Sequence, residues 1–108
     1  MSGDAGTLRH RVTLQEPSDV PDGAGGFSRS WQDVASLRAD IQPAGGTERL
    51  HGLQLQWRVT HRVILRYRTG VTTAMRLVYN GRALNIRAVI NRGEANAWLD
   101  VLAEEGAA

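Results

Sequence analysis

Arg58, Arg62, Arg66 and Arg68 are the residues of this chain whose type and spacing could do chemistry. A guanidinium binds carboxylates and phosphates through paired hydrogen bonds, so the chemistry on offer is the recognition of anions. Trp57, Val59, His61, Val63, Leu65 and Tyr67 share one parity, and Arg58, Thr60, Arg62, Ile64 and Arg66 share the other. Because successive side chains of a strand point to opposite faces, this alternation predicts a strand over 57–68 with one face for a core and one presenting arginines. A solvated strand face accounts for the same charges. If the face lines a channel, the arginines contact phosphates without reading sequence; if it meets a neighbouring subunit, they pair with acids such as Glu48, Asp40 or Asp33. Ile64, set among the arginines, favours a covered interface.

No catalytic constellation accompanies them. His10, His51 and His61 lie far apart, without a metal-binding helix motif or a cysteine partner. His61 falls on the apolar parity of its strand, where a hydrogen-bonded core histidine is expected. The glycines at 23–26 do not follow the phosphate-loop pattern and have no lysine after them. The expectation is a protein that is not an enzyme and needs neither cofactor nor metal.

The elements that position these residues read mostly as strands. Leu8, Val12 and Leu14 alternate with Arg9, Arg11, Thr13 and Gln15, giving a first strand that Pro17 is expected to end. Residues 17–26 mix prolines that fix φ with glycines that permit positive φ, so a turn-rich loop should project there. A second strand region runs from Phe27 to Gln42, but Val34 breaks its parity, which calls for a β-bulge or a break. Thr47 can N-cap a short helix over about 47–56, with Leu50 and Leu53 closing one end of a barrel and Gly52 weakening it by about 1 kcal/mol. Asn80-Gly81 is a type I′ hairpin signal, because both central positions need positive φ. Leu84, Ile86, Ala88 and Ile90 supply one strand face, and Ala97, Leu99, Val101 and Ala103 a last one, with a helix as the rival over 94–104. Six strands with short turns and one brief helix point to a small antiparallel barrel, in which Trp31, Trp57 and Trp98 are the expected ballast.

The chain of 108 residues fits a single domain, 1–108, with tails at 1–6 and 105–108, and an oligomeric context would help stabilise so small a core. Its 13 basic residues are all arginine, against 11 acids, for a formal charge of +2. That small excess argues against a free, non-specific DNA-binding protein. With no cysteine, the fold must rest on packing and hydrogen bonds, which suits assembly in a bacterial cytoplasm. No stretch approaches the roughly 20 apolar residues of a membrane helix.

The order of these features resembles one family: Leu8-Arg9-His10-Arg11-Val12, the glycine-rich turn before Trp31, Ala39-Asp40-Ile41-Gln42-Pro43 with its glycine pair, the arginine strand, and Met75 to Gly81. The chain, over residues 7–104, is similar to the bacteriophage head-tail joining proteins, also called head completion or stopper proteins, and to their counterparts in gene transfer agents. The resemblance implies a structural protein of the particle neck, non-enzymatic, forming a ring, usually a dodecamer. That ring would sit between the portal-adaptor ring and the tail terminator or tail proteins, around a channel for double-stranded DNA. It also implies a gating segment, for which Gly45, Gly46, Thr47, Glu48, Arg49 and Gly52 are the candidates. Asp19, Asp22, Gly23, Gly25, Gly26 and Trp31 are the candidate partner loop. Two other readings stand beside this one: a neighbouring connector component such as an adaptor or tail terminator, and an independent nucleic-acid-binding small barrel using Arg58, Arg62 and Arg66.

Overall fold

Val12 and Leu14 alternate with Arg11, Thr13 and Gln15, and the strand they build, β1 (His10–Pro21), buries the first pair and turns the second set outward. The same inward alternation recurs around a closed antiparallel barrel. The computed structural model describes residues 8–44, 47–49 and 56–106, with backbone alone at 47–49 and 56–58. After β1 come β2 (Phe27–Pro43), β3 (Thr47–Arg49), β4 (Gln56–Arg58), β5 (His61–Arg66), β6 (Arg76–Tyr79), β7 (Arg82–Asn91) and β8 (Trp98–Gly106). The barrel order is β1-β2-β5-β8-β7-β6, closed by pairing of β6 with β1 from Thr13↔Val78 to Gln15↔Arg76. Closure leaves the barrel wall without a free edge on which another chain could pair by accident. Inside, Val12, Leu14, Val63, Leu65, Leu77, Leu84, Ile86, Leu99 and Val101 form an aliphatic core.

Several local expectations are met for identifiable reasons. Asn80 and Gly81 both take positive φ, 51° and 76°, and join β6 to β7 in the tight turn their types favour. The parity break at Val34 is a bulge: Leu14 pairs with Ala35 but Gln15 with Asp33, so Val34 is the extra residue. The 94–104 segment is strand from Trp98 onward, preceded by one 3₁₀ turn at Arg92–Glu94.

Other expectations need correction. Pro17 does not end β1, which continues to Pro21 opposite Phe27. Beyond Gln15 this strand has no neighbour on its outer side among the described residues, and an edge strand tolerates a proline whose missing N–H has no ladder partner to serve. The helix expected over 47–56 is not formed at its ends: Thr47–Arg49 pairs with Gln56–Arg58 as a two-stranded antiparallel ribbon. A β-branched Thr47 opposite Arg58 and an aromatic Trp57 opposite Glu48 suit a strand, and a segment of ten residues is short for an independent helix. Its middle, with Leu50, Gly52 and Leu53, lies outside the described residues.

The arginine strand is also not continuous. It breaks at Val59-Thr60, where Val59 is fully buried and Thr60 stitches the break to β8. The Thr60 N–H donates to Ala103 O at 2.9 Å, its hydroxyl accepts from the Glu105 N–H at 2.7 Å, and its carbonyl accepts from the Ala44 N–H at 2.9 Å. Two of the tryptophans, Trp31 and Trp98, are not barrel ballast either. Trp31 and Trp98 are half-buried on the outer wall, each with an arginine over its ring, and the Trp57 side chain is not described.

Candidate docking surfaces

From Glu16 to Gln32, β1 and β2 pair only with each other, so the hairpin leaves the barrel as a two-stranded arm. The molecule is accordingly elongated, 52 × 32 × 25 Å, with a radius of gyration of 14.7 Å against about 13 Å for a compact chain of this length. The candidate partner loop sits at the end of this arm. Asp22 organises the turn: its carboxylate accepts from the Ala24 N–H at 2.8 Å and the Gly26 N–H at 3.1 Å, while Gly23 and Gly25 take φ of 81° and 87°. Asp19 pairs opposite Arg29, and Phe27, facing Pro21 at the tip, is 70 % exposed.

The Ala24 and Gly26 N–H groups hold Asp22 below the usual carboxylate range. A carboxylate with a depressed folded pKa contributes its full effect above the unfolded value, about 4, and loses it as pH falls through the folded value. The amide resonances of Ala24 and Gly26 are therefore expected to shift, and their protons to exchange faster, when a pH titration by NMR passes below that value. Asp22→Asn is expected to remove the pH step, and a step that persists in this variant would contradict the assignment.

Trp31 is placed at the root of the arm, not at its tip. Arg76 lies over its ring at 4.2 Å from guanidinium carbon to centroid. The Arg76 Nε–H donates to Gln15 Oε1 at 2.8 Å, and Gln15 Nε2 donates to Asp33 Oδ1 at 2.8 Å. This chain of contacts, drawn from β1, β2 and β6, braces the arm against the barrel where the bulge bends β2. Only the outward parity of Gln15 hinted at it in the sequence.

Three of the four arginines have described side chains. Arg62 and Arg66 are exposed on the outer face of β5, and the Arg58 side chain is not described. Arg62 lies 3.6 Å from Asp100 Oδ2, and Arg66 lies over Trp98 at 5.6 Å. Arg68 is half-buried, and its Nε has no hydrogen-bond partner among the described residues. Ile64, expected to be exposed among them, is 1 % exposed and already covered within the chain. His61 is hydrogen-bonded, as expected, but half-buried: its Nδ1 is 2.9 Å from Thr60 Oγ1 and its Nε2 is 3.3 Å from Arg82.

Within its own chain Arg62 pairs with Asp100. Asp100 is 6 % exposed and takes a second, two-pronged contact from Arg92, with Nε 3.2 Å from Oδ2. Removing a buried carboxylate strands its cations, but both arginines reach water, so the loss is smaller than for a fully buried pair. Asp100→Asn is expected to cost about 1–2 kcal/mol in chemical denaturation. No loss would mean that Asp100 is a spectator.

A recess of about 160 Å³ opens where β2 parts from β5, lined by Leu37, Arg38, Leu65 and Arg66. Ala39↔Leu65 is the last pair between these strands, so the recess is a fork with an apolar floor and two guanidiniums at its rim. Of the gating candidates, Thr47, Glu48 and Arg49 lie in the β3–β4 ribbon, and Gly45, Gly46 and Gly52 fall outside the described residues.

The described residues thus form a six-stranded closed barrel with a braced hairpin arm, with charge and apolar surface at the arm and its root. The chain belongs to the phage head completion protein family, whose model matches residues 3–106. Membership makes it a structural protein of the head-tail class. A chain from the virion of a native gene transfer agent particle shares its fold with a TM-score of 0.65 and 26 % identity, over 94 % of this chain and 97 % of that one. A solution structure of protein SF1141 from Shigella flexneri 2a matches with a TM-score of 0.71 and 26 % identity, over 96 % and 97 %. No curated protein sequence matches the chain.

Proposed function

We propose that this chain is the ring-forming joint between the DNA-filled head and the tail of a phage or phage-like particle. The family match over residues 3–106 carries the reading, and the likeness to a chain of a gene transfer agent virion supports it. In this role the subunits, in the dodecamer usual for such rings, dock on the portal-adaptor ring on one side and on the tail terminator or tail proteins on the other. The packaged double-stranded DNA passes through the centre, and the joint is assembled in the bacterial cytoplasm.

The work is geometric and non-covalent. A closed barrel supplies a rigid block, and a ring closes when one patch of each block meets a different patch of the next. The braced arm, with Asp19, Asp22, Gly23, Gly25, Gly26 and Trp31, serves as a docking element. The segment carrying Gly45, Gly46, Thr47, Glu48, Arg49 and Gly52 faces the channel and gates it. Arg58, Arg62, Arg66 and Arg68 face either DNA phosphates or neighbouring acids. Their net pull on DNA is modest, since Asp100 already partners Arg62 and the whole chain is only +2.

Deleting the gene in its source genome and imaging the particles by electron microscopy tests this. Separate tails, and heads that have lost their DNA, are expected. Normal tailed particles that retain DNA would overturn the reading and leave an independent nucleic-acid-binding barrel as the better one.

A further inference from the structure

The arm tip and the fork at its root are complementary. Between Glu16 and Asp33 the chain carries four carboxylates against Arg29 alone, although the chain as a whole is formally +2. Neither Glu16 nor Asp19 makes an ion pair among the described residues, and neither does Arg38 or Arg66 at the rim of the fork. Two residues beyond Arg66, the buried Nε of Arg68 also has no hydrogen-bond partner among the described residues. At the tip Phe27 is 70 % exposed and Val20 45 %, while the floor of the fork is Leu37 and Leu65.

An arm cannot fill its own fork. Phe27 and Leu37 lie on one extended strand, ten residues and therefore about 30 Å apart at roughly 3.3 Å per residue. The tip that seats in the fork has to come from another molecule, and the missing charges on the two surfaces are those that a second copy of this chain supplies.

We infer that the arm tip of one copy, with Phe27, Asp19 and Asp22, seats in the fork of the next copy, lined by Leu37, Arg38, Leu65 and Arg66. The contact is head to tail: each copy gives its tip and receives another's. Phe27 covers the apolar floor, and the tip carboxylates meet the rim guanidiniums. The two patches differ, so the contact propagates around a ring instead of ending at a pair. The inference rests on the ring reading above and names the surfaces that close it.

The absence of cysteine from the chain gives a clean background for the test. Particles carrying the double variant Phe27→Cys, Arg66→Cys in place of the native chain are oxidised and run on a non-reducing gel. A ladder of multimers that collapses on reduction is expected, with no ladder from either single variant. Co-assembly of the two single variants is expected to give dimers and nothing larger, since each then carries one half of the contact. Placing the photoreactive residue benzoylphenylalanine at position 27, a change that keeps the aromatic ring, gives a second measurement. Its adducts are expected on the Leu37 or Leu65 peptides.

The inference is overturned if particles holding several copies yield only monomers in both measurements, or if the tip links to a different particle protein. In either case the ring reading survives. A single copy per particle, counted by quantitative mass spectrometry, would overturn the ring and this contact together.

Discussion

Leu14→Ala is expected to lower the stability of the domain by about 3 kcal/mol and its midpoint of thermal unfolding by roughly 15 °C. Leu14 is fully buried, and it sits where the barrel closes: it pairs with Ala35 on β2 and with Leu77 on β6. The β1–β6 seam has only three residue pairs, so the packing of Leu14 against Leu77 carries much of the closure. The loss combines the transfer energy of the removed methyl groups with the cavity left behind, which neighbours tied into ladders on both sides cannot fill by collapsing. Set against a typical total of 5–15 kcal/mol, that is a large share for a domain this small. Calorimetry of the wild-type and variant chains checks it. A shift of a few degrees would mean that the seam is not where the barrel is held.

Replacing residues 18–30 by Asn-Gly, so that the arm closes directly after Pro17 and before Trp31, is expected to leave the barrel folded and to abolish joined particles. None of the core residues lies in the arm, so the midpoint of thermal unfolding should move by only a few degrees. The Gln15, Asp33, Trp31 and Arg76 brace stays in place because all four residues are kept. Particle yield, scored by electron microscopy and by DNA transfer, is expected to fall at least a hundredfold, since each subunit has lost the tip that its neighbour's fork receives. Normal yield from the truncated chain would show that the arm is dispensable and would remove the docking role proposed for it.

The barrel was legible in the chain because its strands obey a local rule. Val12 and Leu14 flank Thr13, Leu84 and Ile86 flank Asn85, and Leu99 and Val101 flank Asp100, and all six apolar residues point inward. Asn80-Gly81 declared its hairpin through the positive φ it needs, and Val34 declared a bulge by falling out of phase. The misreadings have one physical origin, which is that local pattern does not say what lies across the barrel wall. Pro17 looks like a stop until β1 is seen to have a free outer side there. Thr47 looks like a helix cap until Arg58 is placed opposite it.

The candidate site was less legible than the fold for the same reason. Ile64 looked like an exposed apolar residue in an arginine face, and Arg62 looked unpaired, because Asp100 lies 38 positions further along the chain. The tryptophans looked like core by type, and nothing local shows that Arg76 and Arg66 cover two of them from outside. The acidic arm and the basic fork become a pair only when the register fixes how far apart they are on one molecule.

Cryo-electron microscopy of the neck of intact particles would show whether this chain forms the joint. The account predicts a closed ring of six-stranded barrels, made of this chain, between the portal side of the head and the tail, with an arm from each barrel reaching its neighbour. Density for this chain anywhere else in the particle, or particles without it, would contradict the account.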